Sequence, residues 1–375
     1  MAQARQTTDV ITGFDTPLLL SVLFLTGVGI VMIYSASSAI ANNTYGNGYF
    51  FLRKQTIFSV IGGLVLFLSS MIPYRMYRAF AYILLAVSAL LLVFTQIPGY
   101  GHAAGGAARW IRIGGFTFQP SEFARLSMII YLAYSLSKKQ ERIREFSIGF
   151  LPHVIVMMLL AILIMIQPDF GSVVILGILC WIMMFMGGVP IKYLGGALLG
   201  LLPLAGLVMM SASYRVERLM SFLDPWKHQT DEGYQIVHSL MAFGSGGFWG
   251  KGLGNGHQKL FYLPEPHTDF IFSVIGEELG LWGVLLILTL FFVVIWRGII
   301  IAMRTEDLFG SLLAAGLTIG ISLQTCVNMG VAMGLLPTKG LTLPFLSYGG
   351  SSLLINMVAV GIIINIGKTR PHGRT

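Results

Sequence analysis

Residues 263–298 read LPEPHTDFIFSVIGEELGLWGVLLILTLFFVVIWRG, and the change of character within that stretch decides the fold. Up to Asp269 the chain is polar and stiffened by Pro264 and Pro266. From Phe270 to Trp296 it is almost wholly apolar, longer than the roughly 20 helical residues that cross a bilayer core. Glu277 and Glu278 interrupt it, and charges in a span are costly enough to need polar surroundings.

Similar runs lie on either side. They fall at about 17–36, 55–72, 79–97, 120–137, 148–166, 171–188, 192–211, 270–298, 309–335 and 348–366. Of 375 residues 55% are hydrophobic and 11% charged, against about 25% charged in soluble domains. Mean hydropathy is +0.78. One soluble core could not hide so much apolar surface, whereas a bilayer solvates it. The expected fold is an all-α integral membrane protein, a single polytopic domain over 1–375 with about ten transmembrane helices. Ala39-Ile40-Ala41 mimics a signal-peptidase site, but Arg5 is opposed by Asp9 and Asp15 and the apolar run is long, so a retained helix is expected.

The net charge of +8 falls on segments between apolar runs, without a basic stripe interleaved with aromatics, which excludes nucleic acid and suits anionic lipid. With both termini cytoplasmic, inner segments hold thirteen Lys and Arg and outer segments ten, a modest positive-inside bias. The outward segments are then 37–54, 98–119, 212–269 and 336–347. Segment 212–269, between helices 7 and 8, is the long extracytoplasmic loop expected to carry the chemistry. Its aromatics, among them Trp226, Tyr234, Phe243 and Trp249, predict packing on the membrane domain. Cys180 and Cys326 lie alone in apolar runs, where neither a disulfide framework nor a zinc site is expected.

Several constellations carry chemical meaning. Gly250-Lys251-Gly252 fails the P-loop pattern, because Ser245 and Gly252 stand at positions that need Gly and Ser or Thr. His267, Glu265 and His257 match no standard metal-ligand spacing. Glu122 and Arg125 lie three apart in an apolar helix, so they share a face and can pair or line a cavity. Asp269 sits at the membrane boundary, where it can be a helix N-cap or a reactive carboxylate. Gln119-Pro120 and Gln167-Pro168-Asp169 each open a helix whose positive end would face outward. Arg109, Arg112, Arg215, Arg218, Lys251, Lys259 and Lys339 share the outer side and fit an anionic lipid.

Arg109-Trp110-Ile111, Gln119-Pro120-Ser121-Glu122-Phe123, Gln167-Pro168-Asp169, Phe222-Leu223-Asp224-Pro225-Trp226, residues 263–270 and Ser347-Tyr348-Gly349-Gly350-Ser351-Ser352 together resemble the SEDS family (shape, elongation, division and sporulation). These motifs span most of the chain in family order. Residues 334–340 and 258–262 resemble the division branch more than the elongation branch, with the sporulation branch close. The resemblance implies a peptidoglycan glycosyltransferase that polymerises lipid II with inversion and releases undecaprenyl pyrophosphate. It implies Asp269 as the catalytic base, with Glu122, Arg125, Arg109, Arg215, Arg218, Lys259 and Lys339 as substrate-binding candidates. Arg125 stands where most members have Lys, and Arg keeps the charge but not the option of a neutral amine. His238 stands where Gln is common. No cofactor is identifiable, though a divalent cation, Mg or Mn, could assist the leaving group. The implied setting is the bacterial cytoplasmic membrane at the division septum, with a class B penicillin-binding protein and other division proteins as partners. A lipid II flippase and a non-catalytic division scaffold are the rival readings.

Overall fold

The computed structural model describes residues 14–97, 101–104, 107–113, 116–210, 213–229, 233–260 and 263–368. Each of the ten expected runs is helical: α1 (Thr16–Tyr45), α2 (Phe50–Met71), α3 (Tyr77–Phe94), α4 (Pro120–Lys138), α5 (Leu151–Ile166), α6 (Phe170–Met186), α7 (Ile191–Met210), α10 (Ile271–Arg304), α11 (Leu308–Ala332) and α12 (Gly350–Lys368). Among the described residues seven helices are both long and apolar enough to cross a membrane. α6 and the apolar part of α7 are shorter. α4 is buried along most of its length, so protein rather than lipid surrounds Glu122 and Arg125, while Lys138 is exposed at its end. Arg5, Arg370 and Arg374, part of the charge bias, lie outside the described residues.

Local chemistry sets the helix ends. Asp15 caps α1, its carboxylate accepting from the Leu18 amide at 3.2 Å, and also pairs with Arg297 near the far end of α10 at 2.6 Å. That pair ties the first helix to the tenth at their shared end. α2 and α12 approach closely through glycine: a Cβ at Gly361 would stand 2.5 Å from the Leu66 carbonyl oxygen.

Two features depart from the expected plan. Three short strands, β1 (Gly101–Ala104), β2 (Ala107–Ile113) and β3 (Phe116–Phe118), pair antiparallel in that order, so the fold is not purely helical. The long polar segment is built rather than a loop, holding α8 (Ser213–Leu223) and α9 (Tyr234–Gly246). α10 explains how that segment docks. Its backbone breaks at Gly280 (φ 64°, ψ −160°), which frees helix groups. The Glu277 and Glu278 carbonyls accept from the Lys251 and Gly252 amides, each at 3.0 Å, and the Leu281 amide donates to the Gly247 carbonyl at 3.0 Å. The segment after α9 thus completes the ladder that the kink leaves open.

Candidate active site at the start of helix α10

Asp269 lies two residues before α10, and the chain around it is tied down from three directions. The Tyr348 amide donates to the His267 carbonyl at 2.9 Å, Ser347 Oγ to the Thr268 carbonyl at 2.5 Å, and Asn328 Nδ2 to the Asp269 carbonyl at 2.9 Å. Two residues on the surrounding loops, Glu265 (φ 48°) and Phe345 (φ 65°), hold left-handed backbone that side chains disfavour, a strain that collects at functional sites. The Asp269 carboxylate itself accepts no hydrogen bond among the described residues. Phe270, not Asp269, occupies the α10 cap position, and no side-chain cap bond is made there. The N-cap reading of Asp269 is therefore not realised. Gly340 abuts the carboxylate so closely that a Cβ would stand 3.0 Å from Oδ2.

Lys339, next in the chain, reaches to α6. Its Nζ lies 3.6 Å from Asp169 Oδ1 and donates to Ser172 Oγ at 3.3 Å. Asp169 caps α6 by accepting from the Ser172 amide and hydroxyl at 3.2 and 2.6 Å. Gly171 leaves room for the lysine stem, since a Cβ there would fall 1.9 Å from Lys339 Cδ. Arg109, on β2, donates from Nε to the Gln167 carbonyl at 3.1 Å and from Nη2 to the Pro168 carbonyl at 2.7 Å. The sheet therefore delivers a guanidinium to the loop that presents Asp169. Deeper in, Glu122 and Arg125 form a buried pair at 2.6 Å, and Arg125 also donates to Gln324 Oε1 at 2.8 Å. A cavity of about 10 Å³ beside them, lined by Ser121, Ser172 and Leu341 among others, has room for one water.

Electrostatics separate these groups. Burial, reinforced by Glu265, pushes the Asp269 carboxyl up to about 7 against the pull of Lys339 and Arg109. Burial likewise pushes the Lys339 ammonium down to about 8, although Asp169 and Glu122 favour its charge. For Asp169 burial acts upward but is outweighed by Lys339, Ser172 and Arg109, which hold it below the usual carboxylate range. The arrangement joins a carboxyl poised near neutrality to two cations that can receive an anion.

Residues 16–372 match the family profile described as a cell cycle protein of the FtsW, RodA and SpoVE type. The chain belongs to the FtsW/RodA/SpoVE family. Among its relatives in this family is a probable peptidoglycan glycosyltransferase FtsW of Trichlorobacter lovleyi, 48% identical over 353 residues, 94% of this chain and 93% of that one. Stage V sporulation protein E of Bacillus subtilis is 43% identical, with 95% and 98% covered. The fold is similar to the rod shape determining protein RodA of Thermus thermophilus, with TM-score 0.71, 26% identity, and 96% and 99% covered. It is also similar to a chain from a structure described as the structural coordination of polymerization and crosslinking by a peptidoglycan synthase complex, with TM-score 0.78, 28% identity, and 95% and 98% covered.

Of the residues singled out in the sequence, the structure groups Asp269, Lys339 and Arg109, with Glu122 and Arg125 beneath. Lys259 is a correction. Only 4% exposed, its ammonium donates to Glu278 at 2.6 Å and Ser35 at 3.0 Å, so its charge is neutralised inside the protein rather than offered to a ligand. Glu277, fully buried, accepts from Lys251 and from the His257 and Gln258 amides. The two glutamates thus anchor the long segment. Arg215 and Arg218 fall on α8, but their side chains lie outside the described residues. His238 hydrogen-bonds Gln258 Oε1 at 2.8 Å and packs against the Tyr234 ring in a tilted arrangement. Sequence reading missed Asp169 as the Lys339 partner and passed over Gln324 and Asn328. Their signal was present: two amide side chains four apart in an apolar run occupy one helix face.

Proposed function

We propose that this chain is a division-type peptidoglycan glycosyltransferase that polymerises lipid II at the outer face of the bacterial cytoplasmic membrane. The observation that carries the mechanism is Asp269: a carboxylate beside the membrane boundary, tied only through its backbone, poised near neutral pH and influenced by Lys339 and Arg109. In the reaction the acceptor hydroxyl oxygen attacks the anomeric carbon of the donor sugar. Asp269 takes the hydroxyl proton, the bond to the pyrophosphate breaks, and undecaprenyl pyrophosphate departs with its electron pair. Attack opposite the leaving group inverts the anomeric centre. Proton removal by a positioned base contributes about 10²–10⁴-fold. Lys339 and Arg109 stabilise the charge that grows on the leaving pyrophosphate. Asp169 keeps Lys339 charged and aimed, and the Glu122–Arg125 pair supports that floor from below.

A divalent cation such as Mg or Mn, if it assists the leaving group, would be held chiefly by the pyrophosphate oxygens and water, as Mg usually is. No step is routed through a metal. The ten-span topology with both termini cytoplasmic, action at the septum and pairing with a class B penicillin-binding protein complete the proposal.

The test is labelled lipid II given to purified protein, alone and with a cognate class B penicillin-binding protein. Glycan polymer supports the proposal. Translocation in vesicles without polymer overturns it in favour of a flippase, and neither product in favour of a scaffold.

A further inference from the structure

We infer that Asn328 of α11 is a positioning residue of the transfer reaction, setting the spacing between Asp269 and the loop that carries Lys339. The inference rests on Asp269 being the base.

Asn328 is 1% exposed, in a helix whose other neighbours are mostly apolar. Its Nδ2 donates to two main-chain carbonyls from separate parts of the chain, Asp269 at 2.9 Å and Leu341 at 2.5 Å. Between those two anchors Gly340 rests against the Asp269 carboxylate, and Lys339 precedes it. One side-chain nitrogen therefore fixes the base relative to the cationic loop. The amide orientation is forced, because the flipped form would set Oδ1 against two carbonyl oxygens. The consequence is visible: Oδ1 is buried with no partner among the described residues, as is Thr325 Oγ1 one turn away on the same helix. A residue kept for cohesion alone would be an apolar side chain, without an unpaired acceptor.

Gln324, one turn nearer the start of α11, repeats the device. Its Nε2 donates to the Thr342 carbonyl and to Ser352 Oγ, each at 3.0 Å, while its Oε1 accepts from Arg125 at 2.8 Å. Polar residues in spans commonly join helix to helix. Here the ladder joins a helix to the irregular backbone on both sides of the base. It holds Asp269 through the main chain only, which leaves the carboxylate free for substrate.

The experiment measures polymerisation rate against lipid II concentration and pH for Asn328→Ala, Asn328→Ser and Asp269→Asn, with thermal unfolding on the same preparations. Misplacing a reacting group by about 1 Å can lower a rate by about 10²-fold, so Asn328→Ala should lose at least about 10-fold in kcat with KM within about twofold. Asn328→Ser keeps one donor and should fall between Ala and wild type. Glu265, Lys339 and Arg109 face Asp269, and Asp169 and Glu122 face Lys339. Loosening the loop weakens the Lys339 pull on Asp269, so the acid limb of the rate profile should move to higher pH. A wild-type rate and acid limb in Asn328→Ala, with Asp269→Asn inactive, overturns the positioning role alone. So does a rate that falls only in step with unfolding while the limb stays fixed. Should the Ala variant fail to fold, the Ser variant is judged on the same limb and rate. Normal polymerisation by Asp269→Asn overturns the base assignment and the positioning role with it.

Discussion

Asp269→Asn should give a protein that is inactive and, above neutral pH, more stable than wild type. The carboxyl has an ordinary value of 3.8 and is pushed up to about 7 in the fold. The folded chain therefore binds the proton more tightly than the unfolded chain does. Wild-type stability falls as pH rises from about 4 to about 7, and the full penalty applies above that window. Three pH units at about 1.4 kcal/mol each set a ceiling of about 4 kcal/mol. The side chain is half-buried rather than sealed, and solvent reduces the expected gain to about 2 kcal/mol. Asn does not titrate, so it escapes the penalty at pH 8 and gains little at pH 4. It also cannot accept the hydroxyl proton, so polymerisation should drop by about 10²-fold or more. Thermal unfolding at both pH values, with polymer formation measured alongside, tests both arms. Equal stability at pH 4 and pH 8 would refute the buried-carboxylate argument, and a near-normal polymerisation rate would remove Asp269 from the mechanism.

Other outcomes follow from the same geometry. The kcat/KM profile should be bell-shaped, with an acid limb at about 7 from Asp269 and a basic limb at about 8 from Lys339, and Lys339→Gln should abolish the basic limb. Glu122→Gln should cost about 3–5 kcal/mol because it strands Arg125 with only neutral Gln324 as partner, whereas adding Arg125→Met should restore thermal stability but not polymerisation; full activity in the double variant would make the pair purely structural. In a cysteine-free background, single cysteines at Ser137 and at exposed Asn255 should react oppositely with an impermeant maleimide in intact cells, Ser137 protected and Asn255 labelled; equal labelling would refute the ten-span topology.

The apolar runs, the Glu122–Arg125 pair and the position of Asp269 at the end of the polar stretch were legible because each is a local pattern: run length, spacing on one helix face, a sharp change of polarity. The kink in α10 was not. A lone glycine in a long apolar run does not announce a break, and what decides Gly280 is the segment that fills the gap, which folds back from thirty residues upstream. The same limit sorts the cations. Lys259 and Lys339 look alike in sequence, each on the outer side and each near a motif. Lys259 meets Glu278 at 2.6 Å in a dry interior, and the two charges cancel. Lys339 stands 3.6 Å from an Asp169 that Ser172 also occupies, and Arg109 donates to neutral carbonyls, with no acid paired to it among the described residues. Around Asp269 the two cations Lys339 and Arg109 are matched in number by Asp169 and Glu265, but none of the four is locked in a dry one-to-one pair as Lys259 and Glu278 are. Cations not consumed by a buried partner, beside a carboxyl that burial raises to about 7, are what the proposed departure of pyrophosphate would use, and they are brought together from parts of the chain far apart in sequence.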